Sequence, residues 1–160
     1  MRVFKDKRVF VKLPARGEID FQDKRIFVLL PEKVEIPGEG DPRAVRMPLG
    51  RLAVQLGHVV SKMRIGEIER YGEVPITTIA YSVRNTRELI LLSSLLEGRA
   101  QHVEHTGSAM GFSVFYFSDR DIGFYGIDDD VLTAVCTSPV PRAEIESVLG
   151  HLELFGREEN

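Results

Sequence analysis

Gly50-Arg51-Leu52-Ala53-Val54-Gln55-Leu56-Gly57-His58-Val59-Val60 decides how the rest of this chain is read. Leu52, Leu56, Val59, Val60 and, one turn on, Met63 recur at helical spacing. The stretch is therefore one amphipathic helix, core on one side and polar on the other. Pro48 sits just before it, where a missing N–H costs nothing. The spacing predicts a helix from about Leu49 to Arg64, ended by Gly66.

Upstream, Lys7-Arg8-Val9-Phe10-Val11-Lys12-Leu13-Pro14 and Lys24-Arg25-Ile26-Phe27-Val28-Leu29-Leu30-Pro31 are β-branched and aromatic runs closed by proline. Both read as strands. The first is polar enough for a sheet edge, and the second is apolar enough for a sheet centre. Residues 32–48, dense in breakers around Pro37-Gly38-Glu39-Gly40-Asp41-Pro42, read as a long loop.

Downstream, Ile76–Val83 is a strand by composition. Asn85, with Glu88 three residues on, opens a second helix that Gly98 ends. Phe112–Phe117 and Val131–Thr137 are further core strands. A last helix opens at Pro141 with Ile145, Val148, Leu149, Leu152 and Phe155 as its stripe. Strands alternate with helices from residue 25 onward. That order predicts a three-layer α/β/α domain with a mixed central sheet of four or more strands over residues 25–160. Residues 1–24 are read as an N-terminal strand extension.

A chain of 160 residues needs no disulfide or metal to fold. Its one cysteine, Cys136, is placed mid-strand as inert core and fits a reducing compartment. No window approaches a membrane span, so the cytoplasm is the expected address. The net charge of −3 is uneven. Residues 1–80 hold 15 Lys+Arg against 11 Asp+Glu, and residues 81–160 hold 6 against 13. The first half can thus offer a basic face to a polyanion through Arg43, Arg46, Arg51, Lys62, Arg64 and Arg70. His102 and His105 lack a second ligand pair at zinc spacing. Asp128-Asp129-Asp130 lacks the glycine and distal glutamate of a calcium loop. Gly107–Gly111 precedes a strand rather than joining a strand to a helix, so it is no phosphate loop. No metal and no cofactor are expected.

Leu49-Gly50-Arg51-Leu52-Ala53-Val54-Gln55-Leu56-Gly57-His58, together with Arg120-Asp121-Ile122-Gly123 and Gly150-His151-Leu152-Glu153-Leu154, resembles the type-two peptidyl-tRNA hydrolase family. The glycine, the basic residue after it, the alanine, the glutamine and the histidine keep register with the family's first helix. The segment after Asp121 follows without a gap through Leu132-Thr133 to Ser138-Pro139. The likeness spans roughly residues 25–155. Leu49 stands where the family has its first glycine-flanked lysine, Arg51 where it has the second, and Tyr125 where it has a threonine.

The resemblance implies cleavage of the ester between a peptidyl group and tRNA. That reaction needs an activated water, oxyanion stabilisation and a proton for the leaving 3′-oxygen. No nucleophile–base–orienter set stands out, so direct attack by water is expected. On this reading Asp121 holds or deprotonates the water, and Gln55 and Tyr125 donate near the ester carbonyl. His58 orients the polar row, while Arg51, Arg46 and Arg120 bind the tRNA. The expectation rests on Gln55 and Asp121 facing each other across one pocket. Each residue also has a plainer reading: Asp121 as a turn residue, Gln55 and Arg51 as surface polar groups, His58 as structural, Tyr125 as packing. A non-catalytic binding domain that kept the fold is the alternative function. A small-molecule hydrolase or transferase with the 32–48 loop as its lid is a third. The strand edge at residues 8–14 is suited to homodimer pairing.

Overall fold

The computed structural model describes residues 24–38, 43–71, 77–105 and 112–155. The strand expected over 7–14, the glycine-rich run 107–111, the tail from 156 and the loop tip 39–42 lie outside the described residues, as do the side chains of His102 and His105.

The strand read as the sheet centre is the sheet centre. β1 (Lys24–Pro31) lies between β6 (Val131–Thr137), antiparallel to it, and β4 (Thr78–Val83), parallel to it. β5 (Val114–Asp119) extends the sheet beyond β6, and β8 (Glu153–Leu154) extends it beyond β4. The short β7 (Val140–Pro141) pairs with the start of β1, completing a mixed sheet of six strands. Parallel pairing of β1 with β4 needs a crossover, which α1 (Leu49–Tyr71) supplies.

Alternation along β1 builds two cores. Phe27 and Leu29 face α2 (Thr86–His105) and α4 (Arg142–Leu149), packing with Leu89, Leu92, Leu96, Ile145 and Leu149. Ile26, Val28 and Leu30 face the other way, onto Leu52, Val59 and Met63 of α1. The result is the three-layer α/β/α arrangement. Among the described residues no helix is long and apolar enough to cross a membrane.

Four elements differ from the sequence reading. The 32–48 segment is not a plain loop: β2 (Lys33–Ile36) and β3 (Arg43–Arg46) pair antiparallel, Val45 opposite Val34. The apolar side chains of Val34, Ile36 and Met47 are buried in the α1-side core, which ties this hairpin down. Gly66 does not end α1, and Gly98 does not end α2. An interior glycine costs only about 1 kcal/mol relative to alanine. In α2 the core stripe Leu92, Leu96 and Ala100 runs past Gly98 and outweighs that cost. The last helix stops at Leu149. Leu152 and Phe155 flank β8 instead, where the Phe155 N–H donates to the Ala80 carbonyl at 2.8 Å. The second helix starts as read: the Glu88 N–H donates to Asn85 Oδ1 at 3.0 Å.

Leu29 is 1 % exposed at the middle of the central strand. Leu29→Ala is expected to lower the unfolding free energy by about 2–5 kcal/mol, measured by urea denaturation.

Candidate functional site

At the C-terminal end of β5 the sequence alternates Phe115, Phe117 and Asp119 on the α1 side. The first two are apolar and continue the core, and the third is a carboxylate. Facing it, α1 presents Arg51, Gln55 and His58 one turn apart. Asp119 then becomes the meeting point. Its Oδ2 accepts from the Tyr125 hydroxyl at 2.8 Å, from Gln55 Nε2 at 3.2 Å and from Arg51 Nη1 at 3.2 Å.

Other polar atoms of this cluster are paired too. Gln55 Oε1 accepts from the Thr133 hydroxyl at 2.8 Å. Arg51 Nη2 donates to Asp121 Oδ2 at 2.9 Å, and its guanidinium lies 3.8 Å from the Phe124 ring centroid. Asp121 Oδ1 accepts from the Phe124 N–H at 3.1 Å, capping the short α3 (Ile122–Tyr125). Gly126, at φ 76°, closes that turn in the left-handed region. Arg43, from the β2–β3 hairpin, donates to the Tyr125 carbonyl and fixes the far side.

Thr133 reaches Gln55 through an irregularity in the sheet. Phe117 pairs with Ala134 but Ser118 pairs with Leu132, so Thr133 is an extra residue on β6 with no partner on β5. This bulge reverses the phase of β6. Leu132 joins the α2-side core, while Val131 and Ala134 both join the α1-side core. The Thr133 hydroxyl turns toward α1.

Magnitudes separate the contacts. The Arg51 ion pairs involve side chains 20–38 % exposed, and such pairs are worth about 0–1 kcal/mol each. Gln55 is 2 % exposed and Tyr125 is fully buried. Their hydrogen bonds to a carboxylate are worth about 1.5–3 kcal/mol each, and leaving those donors unpaired would cost as much. Asp119 therefore matters chiefly as the acceptor of two buried donors.

Burial, then the bond to Asp119, pushes the Tyr125 phenol above its ordinary range, so it stays a proton donor. Partial burial is the largest influence and works against the Arg51 charge, but the bond to Asp121 and the charge interactions with Tyr125 and Asp121 together outweigh it, and the net shift is upward. Arg51, followed by the Phe124 N–H, holds Asp121 below the usual carboxylate range.

A groove of about 550 Å³ opens beside this cluster, lined by Pro48, Gly50, Arg51, Val54, Gln55, His58, Asp119 and Phe124. The sequence-derived residues fall around it unequally. Gln55 and Asp121 do not face each other across it: they belong to one chain of contacts that runs through Asp119 and Arg51. Asp121 does not line the groove, because its two oxygens are engaged by the α3 cap and Arg51. Tyr125 lies behind the lining with its proton directed to Asp119. His58 is exposed and, rather than orienting the polar row, stacks on Phe117 at 4.9 Å and 13°. Arg46 is an exposed residue of β3 outside the groove lining. Arg120 turns to the acidic turn, 3.5 Å from Asp130 and 4.0 Å from Asp128 and Asp129.

Sequence reasoning missed Asp119, Thr133 and the stacking of His58 on Phe117. Asp119 had a signal: an acidic residue ending an apolar strand, in phase with Phe115 and Phe117. Thr133 had none, because alternation places it on the other face. Among the described residues there is no group of three or more His, Cys, Asp or Glu side chains arranged to hold a metal ion. The chain matches no protein-family model. No curated protein matches it either.

Asn caps a helix as well as Asp does, so Asp121→Asn removes the Arg51 ion pair with the cap retained. The folded-state carboxyl titrates below its unfolded value near 3.8. The stability it adds is therefore present above about pH 4 and is lost as pH falls through the lower folded value. The stability difference between wild type and Asp121→Asn is expected to shrink between about pH 4 and pH 2, measured by urea denaturation across that range.

Proposed function

We propose that this chain is a hydrolase that cleaves the ester between a peptidyl group and tRNA by direct water attack in the groove beside α1. One observation carries the reading: three donors converge on Asp119 Oδ2. They orient the carboxylate so that Oδ1, which takes none of those bonds, is assigned to the water. The resemblance of residues 25–155 to the peptidyl-tRNA hydrolases supplies the substrate class. The role first assigned to Asp121 passes to Asp119, two residues earlier on the strand.

Asp119 acts by orienting the water. Water held on Oδ1 attacks the ester carbonyl carbon, the carbon–oxygen bond to the ribose breaks, and the 3′-oxygen leaves with a proton from that water. Arg51, 2.9 Å from Asp121 and 3.2 Å from Asp119, borders the groove and is assigned to the developing oxyanion. Asp121 serves this chemistry by positioning Arg51. The partner is tRNA and the compartment the cytoplasm.

A second reading has its own support. Arg51 is answered by two carboxylates, and the Gln55 and Tyr125 protons are both directed to Asp119. An interaction domain that keeps the fold without the reaction would look this way too. The two readings part in one assay. Incubation with N-acetyl-aminoacyl-tRNA is expected to release free tRNA, and Asp119→Asn is expected to lower the rate about 100-fold or more. No release by the wild-type chain, or an undiminished rate in a folded Asp119→Asn variant, would reject the hydrolase.

A further inference from the structure

We infer that the His58–Phe117 ring pair is a stacking platform for a nucleobase, and that the groove accommodates the nucleoside that carries the scissile ester. The stacking site stands on its own geometry, and its link to that ester rests on the proposed hydrolase. His58 lines the groove and is exposed. One face of its imidazole is covered by the Phe117 ring at 4.9 Å and 13° from parallel. Phe117 packs against the α1-side core, so the imidazole is held in place before any ligand arrives. A flat ring with one face backed and the other on an open groove suits a planar π-system, and every base has a π-face.

The other walls are consistent with this. Phe124 has the Arg51 guanidinium 3.8 Å from its centroid, so that face is occupied. Val54, 53 % exposed, adds an apolar edge one turn before His58. Gln55, bonded to Asp119, precedes His58 by three residues on α1, a rise of about 4.5 Å. A ribose beside Asp119 would then set its base on the platform. Stacking tolerates any base and favours the larger purine surface.

The experiment titrates the full chain with adenosine 5′-monophosphate, cytidine 5′-monophosphate and N-acetylphenylalaninamide, following the His58 ring protons by NMR and, in variants of residue 58, the base protons of the nucleotide. Both nucleotides are expected to move those protons upfield, the adenosine compound more strongly. His58→Ala is expected to weaken adenosine 5′-monophosphate binding about 5- to 150-fold. His58→Phe, which restores a flat ring without a titrating nitrogen, is expected to recover it. Absence of a nucleotide-induced shift, a shift with the amide alone, or failure of His58→Phe to recover binding would overturn the inference. Nucleotide stacking without tRNA release would uphold the platform and reject the hydrolase. Release of tRNA with no nucleotide effect at His58 would do the reverse.

Discussion

A single carboxylate oxygen, Asp119 Oδ2, joins the end of β5 to α1 through Gln55 and Arg51, and to α3 through Tyr125. Burying an amide and a phenol this deeply is unfavourable unless each finds an acceptor. Asp119 answers both. Removing its side chain would leave two buried donors without this acceptor and Arg51 with Asp121 alone. The groove opens beside these contacts, with Arg51, Gln55 and Asp119 in its wall.

The sheet makes that contact available. Two apolar residues of β5, Phe115 and Phe117, fix the strand against the α1-side core, and strand alternation then delivers Asp119 to the same face. The bulge at Thr133 brings a hydroxyl to the other end of Gln55, so the amide is fixed at both its oxygen and its nitrogen. An unbulged β6 would leave Gln55 Oε1 without this donor and would place Leu132 in the wrong core. Irregular pairing here is part of how the polar cluster is built.

Much of the architecture was legible. The apolar run Ile26–Leu30 reads as a central strand because both its faces are buried, and α1 reads as a helix because Leu52, Val59 and Met63 keep one face. The hairpin at 33–46 was hidden by the breakers around its tip, which dominate a short window although Val34 and Ile36 already alternate. Gly66 and Gly98 look like helix stops only while tertiary packing is out of view. The candidate site was half legible. Arg51, Gln55 and Tyr125 do gather in one place, but the carboxylate that accepts from all three is Asp119, where the sequence points to Asp121. Asp121 stands at a position that also suits an N-cap, and local sequence cannot tell a cap from a water-holding group. Phase with Phe115 and Phe117 was the signal for Asp119, and the three bonds it accepts single it out in the fold.

Asp119 is energetically coupled to its buried donors, and a double-mutant cycle measures that coupling directly. Unfolding free energies of wild type, Asp119→Asn, Tyr125→Phe and the double variant are compared by urea denaturation. A shared charged hydrogen bond predicts a coupling energy of about 1.5 kcal/mol or more. Additivity within about 0.5 kcal/mol would mean that Asp119 and Tyr125 act independently, and would contradict the account.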